Sequence, residues 1–465
     1  MIQPNKRLLA SAVFVLILSA LAHAQANDVE SRVDSYVHAQ MTRQKIPGVA
    51  VAVIKDGQPI IAKGYGLANI ELNVPVKPET IFQSGSMGKQ FTSTAVMLLV
   101  EEGKIDLDEK ISRYVGAVPE AWKPITVRQV LTHTAGMPND FSDADYVQNW
   151  TEDQLLAKAK AMPLDFQPGT KWSYSNVGYV VLGIMVSKIS GKFYGDFLQE
   201  QVFKPLGMTT TRIISEADII PNRAAGYRLV RGELKNQEWV SPTMNTTADG
   251  SLYWSILDLI KWDAALTKRA VLKPTSWDSV YSPAKLANGS TYPYGFGWGF
   301  GKVNGRRVIE HSGAWQGFKT DIARYVDDGV TIIVLANLAQ ADPVGLAHGL
   351  AEVVSSELIE KPIKDTEPET TAFHRKLLAS MLAGSGLNKD AFSAEAQQSL
   401  FPRLATIGQR LKTFGPLESF EPLQRNGESL NVVHRYLVKF SAQPIVFSVV
   451  VDEHKKISGL RVLLK

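Results

Sequence analysis

Residues 361–372, Lys-Pro-Ile-Lys-Asp-Thr-Glu-Pro-Glu-Thr-Thr-Ala, constrain the fold more than any other stretch of this chain. A polar, Pro-containing segment with so little to bury cannot thread a core, so it reads as a linker. It divides the 465 residues into a large unit over 27–360 and a small one over 373–465. Apolar residues make up 45% and charged residues 21%, which excludes disordered, collagen-like and coiled-coil chains. The net charge of +4 gives no basic field for nucleic acid.

The N-terminus runs Lys6-Arg7, an apolar stretch from Leu8 to Leu21, then Ala22-His23-Ala24. That order predicts a secretory signal peptide over 1–24, cleaved after Ala24, and a periplasmic or secreted protein. An apolar stretch of roughly 14 residues is short of the about 20 that span a bilayer, and no later segment reaches that length. The absence of Cys removes disulfides, a thiol nucleophile and thiolate metal sites.

Val29, Val33, Val37 and Met41 recur every four residues behind Asn27-Asp28, which predicts a capped helix. Two β-rich runs follow, 47–54 and 60–65, and the Asp56-Gly57 between them signals a hairpin. The stretch 86–102 turns helical and stops at Gly103. The middle, 105–285, reads as mainly helical, with a helix over 177–190 among others. From Tyr294, glycines alternate with Phe296, Trp298 and Phe300, predicting a strand with one bare face and one aromatic face. Strands are expected at 307–311, 320–326 and 330–336, then a helix at 344–358. Beyond the linker, a helix over 373–382 and strands over 429–440, 444–452 and 457–464 make a small α+β module.

Ser86-Met-Gly-Lys89 sets a hydroxyl and an amine at i and i+3 at the start of an apolar helix, on one face. Low-dielectric surroundings would lower the Lys89 pKa, and a neutral amine can take the Ser86 proton. A phosphate-binding loop is excluded, because Gln83 and Gln90 stand where that motif needs Gly and Ser/Thr. Downstream, Trp172-Ser-Tyr174-Ser-Asn176 can offer a phenol and an amide to one cavity. Glu310-His311-Ser312-Gly313 ends a predicted strand, and Gly313 lets a ligand approach the backbone. Each of the three is weak alone.

Together and in this order they resemble the serine β-lactamase and penicillin-binding-protein superfamily, in the branch with class C β-lactamases, related esterases and D-amino-acid peptidases. The phrases Val130-Leu-Thr-His-Thr-Ala-Gly136, Phe166-Gln-Pro-Gly169 and Phe203-Lys-Pro-Leu-Gly-Met208 carry the same resemblance, which covers about 27–358. It implies an α/β (α+β) two-lobed fold, with an antiparallel sheet from both ends of the unit and a helical lobe between. It implies Ser86 as acylated nucleophile, Lys89 as its proton partner and Tyr174 as general base, either as phenolate or through a proton shared with Lys89. Asn176, His311, Gly313 and Ala314 would bind substrate, with the N–H groups of Ser86 and Ala314 as oxyanion hole. No metal or cofactor is implied.

The resemblance points to a secreted serine hydrolase acting on a small ester, amide or D-configured peptide. A cell-wall DD-peptidase or weak β-lactamase is the alternative within that chemistry, and a non-catalytic ligand-binding protein the alternative outside it. Class C β-lactamases carry Lys where His311 stands, and a His with an ordinary pKa near 6.5 offers a substrate carboxylate only part of a charge. Trp254 stands where relatives have a small residue, so it either narrows the cleft or packs. Oligomeric state is open.

Overall fold

The computed structural model describes residues 28–141, 146–423, 431–452 and 454–465, so the leader expected over 1–24 lies outside the described residues. Helix α1 spans 28–44 and buries Val33 and Val37 completely. Strands β1 (Gly48–Lys55) and β2 (Gln58–Asn69) follow. The turn between them puts Asp56 at φ 50° and Gly57 at φ 75°, the two positive values that a type I′ hairpin requires. Every residue of β1 before Lys55 is buried, because the strand is covered on both faces.

Four strands from the far end of the unit complete the sheet: β3 (Gly299–Val303), β4 (Arg306–Trp315), β5 (Phe318–Tyr325) and β6 (Val330–Ala336). The order is β3-β4-β5-β6-β1-β2 plus the short edge strand Val74–Pro75, all antiparallel. The N-terminal hairpin therefore joins the later strands through β1 and β6, with Val51 opposite Val334. One face packs Val49, Val51 and Val334 against α1 and the later helix α5 (Pro343–Val354). The other packs Ala50, Ala52 and Leu335 against the helical lobe.

That lobe is built around α2 (Lys89–Glu101), α3 (Asn176–Ser190) and α4 (Ile256–Thr267), with shorter helices between. Ser175 caps α3 by accepting the Gly178 N–H at 2.9 Å. The expected glycine-rich strand from Tyr294 is only partly present, since β3 begins at Gly299. Gly297 has φ +75°, outside strand geometry, and a Cβ there would lie 2.9 Å from Gln90 N. The segment turns at Gly297 to lie against the start of α2.

The C-terminal module sets its two longer helices, α6 (Pro368–Ala383) and α7 (Leu404–Lys412), with the short helix Ala394–Ser399 between them in sequence, beside a four-stranded antiparallel sheet. Its strands are β7 (Leu417–Pro422), β8 (Asn431–Phe440), β9 (Pro444–Asp452) and β10 (Ile457–Leu464). Helix α6 starts inside the expected linker, with Pro368 at its first position, where the missing N–H costs nothing. The module docks on α5: Val344 packs among Leu423, Leu437, Val446 and Leu463, and Arg435 forms a nearly buried ion pair with Glu360. Among the described residues no helix is long and apolar enough to cross a membrane.

Candidate active site

The chain reaches Ser86 through a tight 3-10 turn, Gly85–Gly88, that runs directly into α2. Gly85 has φ +55°, and a Cβ on it would lie 2.3 Å from Ala314 N. A Cβ on Gly313 would lie 2.0 Å from Ser84 O. These two glycines let the end of β4 lie against the turn, so the backbones of Ser86 and Ala314 become neighbours. Within the turn only Ser86 is not fully buried.

Lys89 is 0% exposed, and its Nζ has three partners. It donates to Asn176 Oδ1 at 2.6 Å and to the Asp249 main-chain oxygen at 2.6 Å, and it lies 3.1 Å from Ser86 Oγ. The first two are carbonyl oxygens and can only accept. A neutral amine has two hydrogens, and these two acceptors use both, so its lone pair faces Ser86 Oγ. Burial brings the Lys89 pKa down to about 8, against the opposing charges of Asp249 and Asp140. The Asn176 amide is fixed in turn, because its Nδ2 donates to Asp140 Oδ1 at 2.7 Å.

Tyr174 lies beside this pair, with the Lys89 Nζ 4.8 Å from its ring centre. Its hydroxyl is shut off from solvent and has no hydrogen-bond partner of ordinary length among the described residues. Burial pushes the phenol well above its usual range, and the nearby Ser86 hydroxyl only partly opposes this. The hydroxyl therefore keeps its proton at neutral pH, which favours the proton shared with Lys89 over the phenolate, the two forms of general base that the resemblance implies.

His311 departs furthest from expectation. It is 8% exposed, and burial followed by the charge of Lys89 lowers its pKa to about 4. Both ring nitrogens are in use: Nδ1 donates to the Ser312 carbonyl at 2.7 Å, which leaves Nε2 to accept from the Tyr294 hydroxyl at 2.9 Å. Tyr294 Oη lies 3.2 Å from His133 Nε2, and His133 Nδ1 accepts the Ser175 N–H at 3.1 Å. His133 is also held neutral by burial. Every proton position then follows, giving a one-way chain from Ser175 N–H through His133, Tyr294 and His311 to the Ser312 carbonyl. The chain ties the Tyr174–Asn176 segment to the edge of β4. His311 is thus a neutral tie and not the partial positive charge expected for a substrate carboxylate.

A cavity of about 360 Å³ opens on Ser86 and Tyr174, runs over the edge of β4 past residues 311–314, and reaches Lys319 and the first turn of α5. Gly313 and Ala314 border it, whereas Asn176 lies behind, against Lys89. Trp254 is fully buried and packs 5.9 Å from Phe91, so it does not narrow the cleft. Sequence reasoning missed Asp249, Asp140, Tyr294 and Lys319. Only the Asp249-Gly250 step carried a signal: Gly250 has φ +154°, and a Cβ there would lie 2.3 Å from Gly85 O.

The model of the Beta-lactamase family matches residues 33–355, and the chain belongs to that family of serine hydrolases. It is 29% identical over 307 residues to penicillin-binding protein 4* of Bacillus subtilis (strain 168), covering 62% of this chain and 67% of that protein. With the D-aminopeptidase of Gluconobacter oxydans (strain 621H) it shares 25% identity over 358 residues, 75% of this chain and 66% of the enzyme. The matches span between 60% and 67% of the length of such relatives. An octameric penicillin-binding protein homologue from Pyrococcus abyssi superposes with TM-score 0.62 at 21% identity, over 94% of this chain and 98% of that one. That likeness is one of fold.

Proposed function

We propose that this chain hydrolyses the amide bond of a small or D-configured peptide or amino-acid amide, or a related ester, through an acyl-enzyme on Ser86. The observation that carries the reading is the orientation of Lys89, whose two carbonyl acceptors leave its lone pair for Ser86 Oγ. Ser86 Oγ attacks the substrate carbonyl carbon as its proton passes to Lys89. The developing oxyanion is held by the N–H groups of Ser86 and Ala314, donors of a kind that cost about 3–4 kcal/mol each when removed. Collapse breaks the bond to the leaving group, which takes a proton through the Tyr174 phenol. Tyr174 is then reprotonated from Lys89. Water, deprotonated through the same pair, cleaves the ester and returns the proton to Ser86.

The D-configured side of the reading is supported by the likeness to a D-aminopeptidase. The leader expected over 1–24 supports an enzyme exported to the periplasm or beyond. Release of ammonia from D- and L-alaninamide, with p-nitrophenyl butyrate as an activated ester, tests it. The reading predicts turnover of the D-amide ahead of the L-amide, and of the ester, all lost in Ser86→Ala. If no amide or ester is turned over in a Ser86-dependent way, the reading fails.

A further inference from the structure

The cavity beyond Ser86 presents few charges. Lys89 is turned away behind it, and His311 is neutral with both nitrogens occupied. Asp342 caps α5, where its Oδ1 accepts the Gly345 N–H at 2.9 Å and its Oδ2 the Leu464 N–H at 3.4 Å. Lys319 is different. It lines the cavity half-buried, and among the described residues its ammonium makes no hydrogen bond and no ion pair. On β5 it stands directly opposite Ala314. Side chains at such positions begin about 5 Å apart, and a lysine stem adds roughly 6 Å of reach. Burial lowers the Lys319 pKa and the nearby Asp342 carboxylate partly opposes this, yet with Asp342 held by two N–H donors the ammonium stays at the wall of the reaction cavity without a direct partner.

We infer that Lys319 is the specificity-determining cation of this site, and that the substrate carries a carboxylate on the part that crosses the edge of β4 beside Ala314. The inference rests on the proposed hydrolysis at Ser86 and adds the charge of its substrate. Recognition thus moves from His311, where the sequence suggested it, to the next strand of the sheet. Lys319 binds and orients; it takes no part in proton transfer.

Matched substrate pairs test this. One pair puts the charge in the acyl group: p-nitrophenyl hydrogen glutarate against p-nitrophenyl pentanoate. The other puts it in the leaving group: an acetyl-D-alanyl thioglycolate against its methyl ester. The readout is the ratio of kcat/KM, anionic over neutral, in wild type, Lys319→Met, Lys319→Arg and Lys319→Glu, with circular dichroism and melting confirming the fold of each. In at least one pair the ratio should fall about tenfold in Lys319→Met through KM, as expected for loss of a partly desolvated charge pair. It should be largely kept in Lys319→Arg and fall further in Lys319→Glu. A ratio indifferent to residue 319 in both pairs overturns this inference and leaves the hydrolase reading standing. No turnover of any substrate by the wild type overturns both.

Discussion

Lys89 keeps its proton by a narrow balance. Burial favours the neutral amine, whereas Asp249 and Asp140 favour the ammonium, and the result is a pKa of about 8. Only the neutral amine can accept the Ser86 proton. With a substrate that does not itself ionise, kcat/KM should therefore rise to a plateau above about pH 8 and fall about tenfold per unit below it. Asp249→Asn removes an anion that raises this pKa but keeps the main-chain carbonyl that holds the amine. The midpoint of the profile should move to lower pH, and the variant should gain on the wild type near pH 6.5. A midpoint that stays or rises would show that Lys89 does not set the profile. The buried Tyr174 phenol titrates far above this range and cannot produce it.

Strand β4 acts as one wall of the site because its residues alternate. His311 and Gly313 turn inward, and Gly313 lies so close to the Ser86 turn that a Cβ would meet Ser84 O at 2.0 Å and Met87 N at 3.1 Å. Gly313→Ala must push the strand from the turn, and a displacement of about 1 Å at a reacting centre costs on the order of 10²-fold. We expect such a fall in the acylation rate, measured by stopped-flow with an activated ester; a variant that keeps the wild-type rate and fold would contradict this placement. Local signals made much of the architecture legible. The Asp56-Gly57 turn, α3 and strands β9 and β10 could be read because each rests on its own residues. Ser86, Lys89, Tyr174 and Asn176 could be expected to meet because each motif is short and fixes residue type, and the structure brings the four together. The bend at Gly297 was hidden because contact with the start of α2 decides it. Asp249 was hidden because a main-chain carbonyl does its work, which any residue type supplies. Tyr294 was hidden because both its histidines come from other parts of the chain, and His311 read as a charge reader because sequence does not register its burial.

The molecule as a whole couples its two units at α5, whose first turn lines the cavity on one side and packs against the C-terminal sheet through Val344 on the other. The Arg435–Glu360 pair that locks this junction is only 9% and 7% exposed. Arg435→Met leaves a buried carboxylate alone, which should destabilise the chain by about 3–5 kcal/mol. Pairing it with Glu360→Gln should recover much of that loss; equal stability of wild type and Arg435→Met in denaturant titration would show that the junction carries no such weight. The central claim, acyl transfer through Ser86, is tested most directly on the intact protein. Acid quench during turnover of a p-nitrophenyl ester, followed by intact mass and peptide mapping, should find one acyl group per chain, on the peptide that contains Ser86. The adduct should be absent from Ser86→Ala and build up slowly in Lys89→Ala. An acyl group on another residue, or one that persists in Ser86→Ala, would contradict the account.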